Sequence, residues 1–148
     1  MRTIILVDNS KDDLEFLKEA IATIDPDTQC LSFVYGDEAM FALNSGLLEK
    51  PYAIFMSLNM PGKNGLECLS ILRRCERFDD VPVMLYAPRI TSDVVESLTN
   101  LGIATTFQKP NTIRGWKTAV LEMLTSIHIP DLDMEALIAE SKNQLFYS

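Results

Sequence analysis

The chain lacks any apolar run long enough to cross a membrane. Its 148 residues are 47% hydrophobic, yet no uninterrupted apolar stretch approaches the roughly 20 residues that a membrane-spanning helix needs. The N-terminus enters a strand-like run at once, without the layout of a secretory signal peptide. We therefore expect a cytoplasmic protein that makes no contact with membranes.

Positive charge is also scarce. The 13 lysines and arginines are outnumbered by 21 aspartates and glutamates, which gives a formal net charge of -8. A surface of this sign repels the phosphate backbone of nucleic acids. We expect the chain to bind other proteins and not to bind nucleic acid directly.

Cysteine and histidine are few. The three cysteines, Cys30, Cys68 and Cys75, form neither a C-x-x-C pair nor an even framework, so the sequence does not indicate a disulfide or a zinc site. Cys68 and Cys75 lie on one face of a predicted helix, which is typical of small, half-buried apolar residues. The sole histidine, His128, lies beyond the last strand-helix unit.

What the sequence does contain is a fivefold alternation of strand-like apolar runs with segments of helical period. This alternation predicts one α/β domain, residues 1–127, with a parallel sheet. Residues 128–148 form a C-terminal tail whose weaker period predicts a helix. The predicted strands are 4–7, 29–35, 52–58, 81–87 and 105–108, and the predicted helices are 14–24, 38–43, 66–77, 94–101 and 113–127.

Three helix features lie away from the strand ends. Ser10 is a predicted N-cap of the first helix, whose first turn carries Asp12 and Asp13, charges that the helix dipole favours. Trp116 on the last helix is predicted to face the core. A basic cluster on the third helix indicates a solvated face, with docking of an acidic partner as the less favoured reading; it consists of Arg73, Arg74 and Arg77.

In open parallel α/β sheets, ligands bind outside the carboxyl ends of the strands, where the strand order reverses. The residues that follow the predicted strands therefore mark the candidate site. They are Asp8-Asn9, Tyr35-Gly36, Ser57-Leu58-Asn59, Ala87-Pro88 and Lys109-Pro110.

Four of these strand ends belong to ordered motifs, IILVDNS, SLNMPGKNG, VPVMLYA and FQKP. Through them the chain resembles the response-regulator receiver domains of two-component systems. The resemblance implies a doubly wound, flavodoxin-like sheet of five strands in the order 2-1-3-4-5. It also implies an acidic pair after the first strand and an aspartate ending the third, which together hold Mg²⁺. That aspartate accepts a phosphoryl group from a histidine kinase or phosphotransfer protein.

The match at the metal and acceptor positions is uneven. Asp8 stands at the first acidic position, but Asn9 stands at the second. Ser57 stands at the phospho-acceptor position, and Asn59 stands where the family uses a backbone carbonyl as a metal ligand. The resemblance therefore implies a degenerate site, a pseudo-receiver, at the acceptor.

The match at the phosphate-contact positions is uneven as well. Ala87 stands where the family has a threonine or serine that contacts the phosphoryl group, and Thr106 stands where an aromatic switch residue is frequent. Lys109 matches the phosphate-contacting lysine, and the resemblance implies a cis bond to Pro110. The family's usual output surface would fall on residues 94–101, 105–108 and 113–123.

These substitutions change the chemistry that we expect. Mg²⁺ is normally held by one or two carboxylates plus phosphate, whereas here Lys109 roughly cancels the charge of Asp8 and is expected to pair with it. We therefore expect Mg²⁺ binding to be weak and no other cofactor to bind. A serine hydroxyl needs a positioned base, and Asp8 is the local candidate; we expect no catalytic residues and no enzymatic activity.

Three functions remain open from the sequence. We favour a signalling module that contacts a protein partner without phosphate; that partner is a histidine kinase, a phosphotransfer protein or a downstream effector, and a dimer is compatible with the sequence. A conventional phosphorelay receiver with Ser57 as an atypical acceptor is the first alternative. The second is a small nucleotide- or flavin-binding protein, which the glycine-free turn Asp8-Asn9-Ser10-Lys11 disfavours.

Overall fold

The computed structural model describes residues 2–98, 101 and 104–127; the tail 128–148, with its predicted helix and His128, lies outside the described residues. Strands and helices alternate along the described chain. Within that part, no helix has the length and apolar character needed to cross a membrane. The elements are β1 (Thr3–Val7), α1 (Lys11–Ile24), β2 (Gln29–Phe33), α2 (Gly36–Asn44), β3 (Ala53–Ser57), α3 (Gly65–Arg74), β4 (Val83–Ala87), α4 (Ser92–Leu98), β5 (Ala104–Gln108) and α5 (Ile113–Thr125).

The five strands form one sheet in the order β2-β1-β3-β4-β5. Each neighbouring pair is parallel. This confirms the predicted α/β fold and its strand order. Because the order reverses between β1 and β3, the crevice for a ligand lies beyond the carboxyl ends of these two strands.

The core has two halves, one on each face of the sheet. Strands β1, β3 and β4 are buried along their whole length, because helices cover both faces and apolar side chains are favoured on both. Alternate residues go to opposite halves: Leu85 and Ala87 pack with α2, α3 and α4, whereas Met84 and Tyr86 pack with α1 and α5. Each strand residue of the site is therefore assigned to one face.

Helix α1 begins at Lys11, directly after the predicted N-cap. The hydroxyl oxygen of Ser10 accepts a hydrogen bond from the Asp13 amide at 3.3 Å, which confirms that cap. The range 14–24 that the apolar period predicts begins later, because the first turn carries polar residues, which such a period does not detect.

Helix α3 ends at Arg74, so the prediction of one helix over 66–77 is wrong at its C-terminal end. Cys75 has extended dihedral angles and a 3₁₀ turn, Glu76–Phe78, follows. The reason is a tertiary contact, since the buried Phe78 ring draws this turn into the core. Cys75 is consequently the C-cap of α3 and does not share a helical face with Cys68.

The basic cluster on α3 is not a uniformly solvated face. The guanidinium of Arg73 donates hydrogen bonds to the carbonyl oxygens of Phe78, Val81 and Leu101, at 2.9, 2.9 and 2.6 Å. Arg73 is therefore a structural residue that ties the end of α3 to the chain on either side of β4.

Candidate functional site

The carboxyl ends of the five parallel strands lie side by side at one edge of the sheet. Backbone hydrogen bonds continue the sheet pairing past the strand ends, from Asp8 N to Phe33 O at 3.1 Å and from Lys109 N to Ala87 O at 2.8 Å. Leu58 N likewise bonds to the Tyr86 carbonyl oxygen at 2.8 Å. The fold thus brings together the ends of strands that the sequence singled out, with Asp8, Ser57, Ala87 and Lys109 at this edge.

Asp8 is buried, with 3% of its surface exposed, and both of its carboxylate oxygens have donors. The amide of Ser10 donates to Oδ1 at 2.9 Å, and the hydroxyl of Tyr86 donates to Oδ2 at 2.7 Å. Burial raises the pKa of Asp8, and these two hydrogen bonds oppose the rise. Burial and the Asp8 charge raise the pKa of Tyr86 well above its usual value, so its hydroxyl stays protonated and acts as a donor.

Tyr86 is a site residue that the sequence reasoning missed. It directly precedes Ala87, the predicted contact position, and its side chain goes to the opposite face of the sheet. The available signal was a tyrosine in an otherwise apolar strand, because a buried tyrosine hydroxyl usually requires a hydrogen-bond partner.

Lys109 pairs with Asp13 and not with Asp8, so the expected Asp8–Lys109 pair is wrong. The ammonium nitrogen of Lys109 lies 2.6 Å from Asp13 Oδ2, with side-chain exposures of 32% and 9%. The Ser10 cap starts α1 early enough for Asp13 to belong to its first turn, where it lies within reach of the lysine. The two oxygens of Asp8 are meanwhile taken by other donors.

The peptide bond between Lys109 and Pro110 is trans, so the cis bond that the resemblance implied is wrong. The Lys109 amide bonds to the Ala87 carbonyl and carries the extended path of β5 one residue further. Gly115 leaves room for the proline at the start of α5, because a Cβ there would lie 2.8 Å from Pro110 Cβ.

Ser57 is buried, and its hydroxyl is turned back onto its own loop. The hydroxyl group donates to the carbonyl oxygen of Asn59 at 3.2 Å, and its oxygen accepts from the Asn59 amide at 3.3 Å. Such local turns are a common use of serine side chains. Among the described residues, no side-chain base is hydrogen-bonded to this hydroxyl, so nothing in that part of the chain activates it as a nucleophile.

The loop between β3 and α3 keeps a well-defined frame. Asn64 and Glu67 form a reciprocal capping box at the start of α3, with distances of 3.0 and 3.3 Å. Gly65 allows the helix to begin directly against β3, since a Cβ there would lie 2.7 Å from the Ser57 carbonyl oxygen. Lys63 reaches across to Asp37 at the start of α2, at 2.7 Å.

The two remaining predicted positions lie on one face of the sheet. Ala87 is 2% exposed within the apolar core. Thr106 is half-buried and lies opposite Leu85 in the neighbouring strand. The side chain of Leu85 is on the same face of the sheet as that of Ala87. This face therefore has neither a hydroxyl at position 87 nor an aromatic ring at position 106.

Aromatic side chains occupy the opposite face at the same level. The ring of Tyr86 lies 5.2 Å from the ring of Phe107 and 5.2 Å from that of Trp116, with the latter pair edge to face at 89°. Trp116 is completely buried, which confirms that it faces the core.

The residues at the metal positions do not fit a strong divalent-cation site. Asp8 already has two donors, Asn9 is exposed and neutral, and the Asn59 carbonyl accepts the Ser57 hydroxyl. Within residues 2–98, 101 and 104–127 no cluster of three or more histidine, cysteine, aspartate or glutamate side chains is placed to hold a metal ion. This donor set offers at most weak binding of Mg²⁺, as the sequence predicts.

No protein-family model matches the chain, and no curated protein matches it. Solved structures do match. The phosphorylated cyanobacterial phytochrome response regulator RcpA and the Mn²⁺-bound form of response regulator Rcp1 each have a TM-score of 0.77 and 22% identity, covering 88% of this chain and 99% of theirs. The chemotaxis protein CheY4 of Vibrio cholerae has a TM-score of 0.73 and 16% identity, covering 86% and 99%. The chain therefore has the fold of the response-regulator receiver domains.

Proposed function

We propose that this protein is a receiver-like module of two-component signal transduction that acts through phosphate-independent contact with another protein. The observation that carries the proposal is that the hydroxyl of Ser57 is hydrogen-bonded to the backbone of Asn59. Ser57 stands at the position to which the resemblance to receiver domains gives the phospho-acceptor. The receiver fold supports the signalling class, and Ser57 supports the loss of phosphotransfer.

The chemistry of the crevice supports this reading at each step of a phosphoryl transfer. A carboxylate is an ionised nucleophile near neutral pH, whereas a serine hydroxyl needs a base, and Ser57 has none among the described residues. Charge on the transferred group must be balanced by a cation or donors. Here Asn9 replaces a metal carboxylate, Ala87 supplies no hydroxyl, and Lys109 is engaged by Asp13.

The same contacts give the crevice a stable arrangement without any ligand. Asp8, Ser57 and Lys109 each have a partner within the chain. Asp8 and Ser57 are buried, and a buried polar group without a partner costs about 1–3 kcal/mol, so their contacts favour the arrangement described. The surface offered to a partner protein then does not depend on phosphorylation.

The nucleotide- or flavin-binding alternative gains no support from the crevice. A phosphate group binds best at free amides of a helix N-terminus. At the start of α1 the Ser10 amide is bound by Asp8 and the Asp13 amide is bound by Ser10. The chain's own side chains therefore occupy two of the amides at this end of the helix.

The proposal is tested by intact-mass measurement after incubation with acetyl phosphate and Mg²⁺. We expect the mass of the wild-type chain to stay unchanged, because no carboxylate stands at position 57. A stable gain of one phosphate on Ser57 would overturn the proposal in favour of an atypical acceptor. The reference variant is the triple substitution Asn9→Asp, Ser57→Asp and Ala87→Thr, which returns the missing carboxylates and hydroxyl to an otherwise identical chain.

A further inference from the structure

Tyr86 joins the crevice to the aromatic core on the α1 and α5 face. Its hydroxyl donates to Asp8 at 2.7 Å, and its side chain is 1% exposed. Its ring contacts Phe107 of β5 and Trp116 of α5, each at 5.2 Å between ring centroids. One residue therefore touches both a carboxylate of the crevice and the buried face of the last helix.

The register of β4 and β5 places this connection on a particular side of the sheet. Tyr86 pairs with Phe107, whereas Leu85 pairs with Thr106. Side chains alternate between faces along a strand, so Tyr86 and Phe107 lie on one face, while Ala87 and Thr106 lie on the other. At these two positions the face of Ala87 and Thr106 carries no aromatic ring, and its one polar group is the Thr106 hydroxyl.

Asp8 supplies the acceptor for the buried hydroxyl of Tyr86. A buried hydroxyl that loses its acceptor pays the full cost of desolvation, and a closely packed interior transmits a shift of one ring to its neighbours. The neighbour here is the indole of Trp116, which is completely buried and packed edge to face against Tyr86.

We propose that Tyr86 couples the crevice to helix α5, with its hydroxyl held by Asp8 and its ring transmitting any change at Asp8 to Trp116. A cation or a donor group of a partner that engages the Asp8 carboxylate would act through this route. The coupling is a property of the isolated chain and does not depend on the proposed function or on the identity of a partner.

The coupling is tested by fluorescence, because Trp116 is the only tryptophan in the sequence. Four full-length chains are compared: wild type, Asp8→Ala, Tyr86→Phe and the double variant. We expect Asp8→Ala to change the emission and acrylamide quenching of Trp116 when Tyr86 is present, and to leave both unchanged in the Tyr86→Phe background. An equal effect in both backgrounds, or no effect in either, overturns the proposal.

Two further variants serve as a control and as a replacement. Asp37→Asn removes the exposed carboxylate that pairs with Lys63 in the neighbouring loop, and we expect it to leave the fluorescence of Trp116 unchanged. If Asp8→Ala fails to give the wild-type far-ultraviolet circular dichroism spectrum, Asp8→Asn replaces it, because an amide has one acceptor oxygen for the two donors at Asp8. The acetyl phosphate experiment uses none of these changes, so failure of the coupling leaves the proposed function standing, and the reverse also holds.

Discussion

At the scale of single residues, the sequence predicted which residues lie in the crevice better than it predicted the hydrogen bonds and ion pairs that they form. Asp8, Ser57 and Lys109 all lie at the predicted edge, but each is bound by a group that the sequence did not assign to it. Tyr86 is 78 residues away from Asp8 along the chain, and local pattern carries no information about a hydrogen bond of that separation. The location of these residues at the strand ends was therefore predictable, whereas their hydrogen-bond partners were not.

The cysteines give a residue-scale prediction about pH. Burial raises the pKa of Cys30 and of Cys68 to about 11 in each case, and the thiolate is the reactive form. Below that pKa the thiolate fraction rises with pH, so we expect alkylation of Cys30 by iodoacetamide to accelerate about tenfold per pH unit between pH 7 and 10.

Peptide mapping after timed alkylation measures this rate. The fully buried Cys68 is expected to stay unmodified longest, since its side chain is inaccessible as well as protonated. Rapid modification of Cys68 at pH 7 in the folded chain would contradict the burial that the structure assigns to it.

At the scale of elements, Arg73 is the arginine of the basic cluster that joins the end of α3 to the chain around β4. Its half-buried guanidinium satisfies three backbone carbonyls around β4. Replacement by methionine keeps the aliphatic stem and leaves these acceptors without their donor, at about 1–3 kcal/mol for each group that water cannot reach.

We expect Arg73→Met to lower the free energy of unfolding by about 3 kcal/mol, allowing for partial access of water. Urea denaturation measures this change. Arg74→Met is the matched control, because its side chain is exposed, and it is expected to change stability by less than about 0.5 kcal/mol. Equal effects of the two substitutions would show that the three hydrogen bonds do not stabilise the fold.

The elements also show how far a sequence predicts a fold of this kind. Five alternating apolar and amphipathic segments were sufficient for the parallel sheet, since periodicity reflects which faces are buried. The prediction over 66–77 was wrong beyond Arg74 because Phe78 and Arg73 redirect the chain through tertiary contacts. The Lys109–Pro110 bond was assigned by resemblance alone, and the packing of Pro110 against Gly115 is compatible with a trans bond.

At the scale of the whole molecule, the crevice occupies one edge of the sheet and helices cover both of its faces. If contact is independent of phosphate, binding must survive loss of the Ser57 hydroxyl. We expect Ser57→Ala to change the Kd for a partner protein isolated by pull-down by no more than about twofold. A twofold change is less than about 0.5 kcal/mol, the usual range for a substitution outside the binding surface. Calorimetry with the purified partner measures it.

Two further variants in the same assay identify the surface that binds the partner. The exposed side chain of Val95 lies on α4, within the output surface that the resemblance implies, and that of Phe41 lies on α2. We expect Val95→Asp to weaken binding at least about tenfold, as a charge in an apolar contact does, and Phe41→Ser to leave it unchanged. The reverse result would assign the partner to α2.

The hydroxyl of Ser57 has one consequence for competition between a proton donor and a cation. It donates to the carbonyl of Asn59, the group to which the resemblance to receiver domains gives the role of a metal ligand. A hydroxyl hydrogen and a cation would compete for this one oxygen, so a cation that binds there would have to displace the Ser57 hydroxyl.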